Sequence, residues 1–197
     1  MAAFLSKRNT AILGFASVLL LLLSLMVFGN LNTEFRFLED YISMLGAQGQ
    51  PNALWFNIFG FVLVGLLLFG FGLGYGLILK DRLLAVFLSL FGLGFAFAAI
   101  PTDFQPERDA ASKAHIVAIC LGLAFWMFGL ARIGANKNLS SKVRQGANIV
   151  SGMLALAIVG AATDLYSMPF AHRMVFAIVF GWTLLTAIGL MRIRDEY

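Results

Sequence analysis

Residues 10–28 read Thr10-AILGFASVLLLLLSLMV-Phe28, an apolar run without a single charge. A helix rises about 1.5 Å per residue, so roughly 20 such residues cross the hydrocarbon of a bilayer. Five further stretches have the same character: Ala53–Leu79, Leu83–Ile100, Ala114–Ile133, Ala147–Thr163 and Arg173–Ile193. Backbone N–H and C=O groups in lipid must be satisfied within the segment, which makes these spans helices. A β-barrel would instead show alternating segments of about ten residues. The expected fold class is therefore all-α, a polytopic membrane protein forming a six transmembrane helix bundle. Nothing between the spans is long enough for a soluble domain, so residues 1–197 read as a single domain.

Composition supports this and excludes other classes. The chain is 60% hydrophobic and only 12% charged, with a mean hydropathy of +0.89. A soluble domain is about one-quarter charged, and a chain this short has no interior large enough for so much apolar surface. A soluble enzyme, a nucleic-acid binder and a disordered tail are excluded, and the lone Cys120 excludes a disulfide scaffold. Cys120, within the fourth span and away from basic neighbours, reads as a buried structural thiol. The first span follows Lys7 and Arg8 as a signal peptide would. Its core is too long, however, and Val27-Phe28-Gly29-Asn30 is not a small-x-small cleavage site, so it reads as a retained helix.

Charge gives the orientation. One side carries Lys7, Arg8, Lys80, Arg82, Arg132, Lys137, Lys142, Arg144, Arg192 and Arg194; the other carries Arg36, Arg108, Lys113 and Arg173. The acids divide the opposite way: Asp81, Asp195 and Glu196 against Glu34, Glu39, Asp40, Asp103, Glu107, Asp109 and Asp164. The positive-inside rule then puts both termini in the cytoplasm of a multi-pass cell-membrane protein, the inner membrane where there are two. The basic face suits membrane lipids with anionic head groups and is no sign of nucleic acid. The longest outer connection, residues 30–52, mixes charged and apolar residues over Phe35–Ile42 and is expected to lie as a short helix in the outer interface. Gly46-Ala-Gln-Gly-Gln-Pro51-Asn52 is turn chemistry, with Pro51 suited to the start of the second helix.

Glycines crowd the second and third spans, and Gly70/Gly74 and Gly72/Gly76 have the small-xxx-small spacing that lets backbones approach. Gly122/Gly129, Gly152/Gly160 and Gly181/Gly189 suggest further packing faces, open also to a protein partner or a homo-oligomer. Within the spans Ser89, Ser151, Thr183 and Thr186 are the polar groups noted, with no charge, which counts against ion transport.

The outer side carries the candidate chemistry. Asp103 follows the third span and His115 opens the fourth; Asp164 follows the fifth and His172 opens the sixth. Thr102-Asp103-Phe104 before Ala114-His115 is echoed by Thr163-Asp164-Leu165 before Ala171-His172, so two helical hairpins each carry an Asp and a His. The cofactor is left open. Asp103, His115, Asp164 and His172 are candidate ligands for a divalent metal such as zinc, whose bound water could hydrolyse a lipid ester or amide. Ser43, Asp103, His115 and His172 are the catalytic candidates, with Asp40 beside Ser43 in the loop. Asp–His pairs could equally form a proton switch. Haem held by the two histidines is not favoured. The plain alternative makes these residues local helix-end partners, although Asp103 and Asp164 follow helices, where an acid opposes the dipole.

Tyr41-Ile42-Ser43-Met44-Leu45-Gly46, Pro51-Asn52, Asn57, Pro101-Thr-Asp103 and His115, taken in order, resemble a prokaryotic six-helix membrane family of unknown function, DUF998. The Tyr-Ile-Ser-x-x-Gly stretch is also similar to the Frag1/DRAM/Sfk1 membrane family. The first resemblance implies the fold and a membrane location. The second implies work connected with lipids. Neither assigns a role to Asp164 or His172.

Overall fold

The computed structural model describes residues 6–103 and 109–192. Phe104, Glu107, Arg108, Ile193, Arg194, Asp195 and Glu196, used above in the repeat, the span limits and the charge comparison, lie outside the described residues. Six helices form the membrane bundle: α1 (Lys7–Leu31), α2 (Ala53–Ile78), α3 (Arg82–Phe97), α4 (Ala110–Ala135), α5 (Ser141–Ala162) and α6 (Met168–Arg192), with no strand among the described residues. All but α3 are long and apolar enough to cross a bilayer unaided. The path of α3 continues through i→i+3 bonds from Ala99 to Ala96 and from Ile100 to Phe97, and Pro101 follows. This tighter tail recovers the expected limit at Ile100.

Side-chain caps set the starts. Ser6, Asp81, Asp109 and Ser140 accept the backbone N–H of the third helical residue in α1, α3, α4 and α5. Ser167 does the same for α6, accepting from Phe170 N at 3.3 Å, with Pro169 in the first turn. Helix α6 therefore begins five residues before the expected Arg173.

Each helix packs on its chain neighbours, and α6 returns to α1, closing a ring. Helix α1 turns Thr10, Ala11, Gly14, Ser17, Val18, Leu21, Ser24 and Leu25 inward, while Leu19, Leu22, Leu23 and Met26 lie exposed. Lipid solvates leucine as well as a protein interior does, so small and hydroxyl residues mark the packing face. The middle of the ring is filled by aromatic rings. Trp182 meets Phe71, Tyr75 and Trp126 with centroids 5.7–6.3 Å apart and near-perpendicular planes. Phe91, Phe95 and Phe180 continue the column toward the loop face, the face that bears residues 32–52.

Glycines do bring α2 and α3 together. A Cβ at Gly72 or Gly76 would strike the backbone of Leu88 or Ala85, and Gly65 opposes Ala96 and Gly92. Gly70 and Gly74 instead face Leu13 and Thr10 of α1. Gly122 meets Gly94, and Gly129 meets Leu88. The expected contact does not form at Gly152, Gly181 or Gly189, where a Cβ would meet nothing within 4 Å among the described residues. Cys120 is exposed on the outside of α4 rather than buried.

At the opposite, terminal face, α2 ends in a Schellman turn: Asp81 N–H donates to Gly76 O and Lys80 N–H to Leu77 O, with Lys80 at φ 56°. Asp81 then caps α3 and takes two hydrogen bonds from Arg132 Nε, at 2.7 and 2.6 Å, which ties this turn to the end of α4. Burial acts to raise the Asp81 carboxyl, but the Arg132 hydrogen bond, the Leu84 N–H and the guanidinium charge together hold it below the usual range.

Two outcomes follow for protein in detergent. Gly72→Leu is expected to lose roughly 1–3 kcal/mol of stability through overpacking, whereas Gly181→Ala melts like the parent. Because the folded-state value of Asp81 is depressed, its contribution is complete above the unfolded value and is lost as the pH falls through the folded one. The melting temperature should therefore drop below about pH 4, and less steeply in Asp81→Asn.

Candidate functional site

The loop-face connection does not form a helix over Phe35–Ile42. Residues 33–40 run through turns and are largely exposed, and the helical piece is a 3-10 helix, Ile42–Gly46, tucked under the bundle mouth. Ile42 and Leu45 are each 1% exposed. Their burial fixes the position of Ser43, which is also buried. Gly46 then meets α2. Its carbonyl accepts from Asn57 Nδ2 at 2.9 Å, and a Cβ at this position would collide with the Asn57 carboxamide. Asn57 opens a π-helical stretch, Asn57–Leu63, which widens α2 at this depth. Such stretches are often found at functional sites.

Further bonds hold the loop. Gln48 N–H donates to Thr102 O at 2.9 Å, and Gln48 Nε2 donates to Asp109 Oδ2 at 3.3 Å. The Ser112 backbone N–H and hydroxyl hold the Asp109 carboxyl below its usual range. Arg173, treated above only as a charge, donates from Nε to Phe37 O at 2.7 Å and from Nη2 to Asp40 O, and its guanidinium lies 5.2 Å from the Phe37 ring centroid. No sequence pattern marks this role, because the partners lie more than 130 residues away.

Both histidines sit one turn inside their helices rather than at the entrances. His115 is buried, and its Nδ1–H donates to Ile100 O at 3.1 Å. His172 lies between Tyr41 and Phe176, with centroids 5.7 and 4.8 Å away, and its buried Nδ1 has no hydrogen-bond partner among the described residues. Ser43 and His172 line one cavity of about 50 Å³, among Phe61, Phe95, Phe176 and Phe180. His115 packs edge-on against the same Phe61.

The acids lie elsewhere. Asp103 is fixed through its backbone, which exchanges two hydrogen bonds with the Ser112 hydroxyl. The Asp40 carboxylate accepts from Arg36 N at 2.7 Å, inside its own turn. Asp164 is exposed at φ 56°, in a second Schellman turn formed by Leu165 N–H to Gly160 O and Asp164 N–H to Ala161 O. Aspartate tolerates this left-handed position, so backbone conformation explains an acid that the helix dipole disfavours. Among the described residues, no three His, Cys, Asp or Glu side chains form a metal-ligating group. The four-ligand centre of Asp103, His115, Asp164 and His172 is therefore not assembled.

A family model described as "Protein of unknown function (DUF998)" matches residues 15–190. No curated protein and no solved structure matches the chain.

Removing the anchor tests this geometry. Arg173→Ala is expected to speed amide exchange over Arg36–Asp40 and to cost about 0.5–1.5 kcal/mol, since an exposed and a part-buried backbone carbonyl lose their donor to water. Unchanged exchange would mean that the loop is held without Arg173.

Proposed function

The chain belongs to the DUF998 family, and from its own residues we propose that it is a lipid-binding protein of the cell membrane, with both termini in the cytoplasm, that receives the polar end of an outer-leaflet lipid at Ser43 and His172. The observation that carries this reading is the cavity beneath the 3-10 helix. Its lining is apolar except for those two side chains, and the buried Nδ1 of His172 has no hydrogen-bond partner among the described residues. Leaving such an atom unsatisfied costs about 1–3 kcal/mol, so a ligand that pairs with it gains affinity. Aromatic walls suit a hydrocarbon stem, and the two polar groups suit a hydroxyl, ester or amide at its end. The basic terminal face, with Lys7, Arg8, Lys80, Arg82, Arg132, Lys137, Lys142, Arg144 and Arg192, supports the orientation.

The reading is tested in phosphatidylcholine nanodiscs with a photoreactive diacylglycerol. Labelling is expected within α4 and α6 near Leu123 and Val175, and is expected to fall several-fold in His172→Phe and in Ser43→Ala. Labelling that is indifferent to both variants overturns the site. Orientation is tested separately in a Cys120→Ser background. A cysteine at Thr33 should react with an impermeant thiol reagent in intact cells and one at Ser141 should not; the reverse pattern inverts the topology.

A second reading, an assembly partner, is favoured by one observation: among the described residues, nothing comes within 4 Å of a Cβ placed at Gly152, Gly181 or Gly189. A helix of a second protein could approach there. Gly181→Leu would then weaken an oligomer detected by cross-linking in membranes, and an unchanged cross-linking pattern removes this reading.

A further inference from the structure

The terminal face holds a second cavity, larger and opposite in character. A groove of about 880 Å³ opens where the α2–α3 turn meets the end of α4. Lys80, Arg82 and Arg132 line its upper part with Asp81, whose charge Arg132 already answers through Nε. Neither the Lys80 ammonium nor the Arg82 guanidinium has a carboxylate partner among the described residues. The groove thus keeps a net charge of +2 from these four residues. Asn136 and Asn138 add polar groups at the rim. Toward the membrane the lining becomes apolar: Leu83 is 45% and Phe128 56% exposed, and the Phe87 ring lies 5.8 Å from that of Phe128.

Cationic groups at head-group level above exposed aromatic and aliphatic side chains match a molecule with a negative head and hydrocarbon tails. We propose that this groove seats an anionic phospholipid of the adjoining leaflet, its phosphate held by Lys80 and Arg82 and its chains lying along Leu83 and Phe128. The proposal is separate from the Ser43–His172 cavity. It depends on the orientation reading only for naming the leaflet as the inner one, where anionic lipids attract basic residues.

Backbone geometry supplies a discriminating variant. Lys80 holds φ 56°, a left-handed conformation that glycine adopts without the steric cost borne by lysine. Lys80→Gly should therefore melt higher than the parent in neutral detergent while losing lipid. The measurement is native mass spectrometry of protein taken from nanodiscs of phosphatidylcholine and phosphatidylglycerol, reading the phospholipid retained. We expect preferential retention of phosphatidylglycerol, reduced about five-fold by Lys80→Gly and again by Arg82→Gln. A charge-matched control, Lys142→Ala with Arg192→Ala, should leave retention unchanged. Equal retention of the two lipids, or an equal loss in the control, overturns the site in favour of diffuse attraction by the basic face. Displacement of phosphatidylglycerol by millimolar inorganic phosphate would identify a free-phosphate site and overturn the lipid assignment.

Discussion

Six helices arranged in a ring enclose an axis that something must fill, and in this protein aromatic side chains fill it. Trp182 of α6 makes edge contacts with Phe71 and Tyr75 of α2 and with Trp126 of α4. Helices in lipid gain little from hiding leucine from one another, so close van der Waals contact and ring geometry hold them together. The placement of small residues follows from the same demand. With glycine at 65, 72 and 76, the α2 and α3 backbones form one close-packed wall, and bulky rings from the other helices complete the interior. Burial is least extensive in the α4 and α5 spans, so the packing is densest on the side where α2 and α3 meet.

The loop face inherits its geometry from this column. Phe61, Phe95 and Phe176 lead from the ring's interior to His115 and His172, so both imidazoles stand on an aromatic floor. Above them the 3-10 helix serves as a roof, joined to α2 through Gly46–Asn57, and the turns that lead into it are held from α6 through Arg173. Ser43 reaches the cavity because Ile42 and Leu45, its neighbours in the turn, are both buried. Hydrocarbon walls and two polar groups thus meet just below the mouth of the bundle.

The spans were legible because a bilayer demands long uninterrupted apolar runs, and each expected span coincides with a helix. Detail failed where tertiary context or backbone geometry decides. The inward face of α1 was hidden because leucines lie on both sides, Leu19, Leu22 and Leu23 outside and Leu21 and Leu25 within, while Thr10, Ser17 and Ser24, spaced by seven, mark the inner face. Asp164 looked like a ligand because φ cannot be read from a side chain, and Asp109 was taken as a charge although it caps α4. The histidines looked like entrance residues because the caps at Asp109 and Ser167 start their helices one turn earlier. Among the proposed site residues, Ser43 and His172 line one cavity and His115 packs against Phe61, which lines it too, while the Asp40 carboxylate accepts within its own turn, the Asp103 backbone is held by Ser112 and Asp164 is exposed in a turn. Arg173 was missed because its acceptors are backbone carbonyls far away in sequence.

The π-helical stretch at Asn57–Leu63 has a consequence for how this helix is counted. A wider turn accommodates an extra residue while the helix on either side keeps its phase. In geometric terms, α2 has the form of a regular helix with one residue inserted, its glycine face still turned toward α3. The insertion would place the Asn57 carboxamide beneath Gly46 while Gly65, Gly72 and Gly76 stay in register below it. A single deletion within residues 57–63 is therefore the sequence change that would separate the two ends of this helix functionally, keeping the wall and releasing the roof.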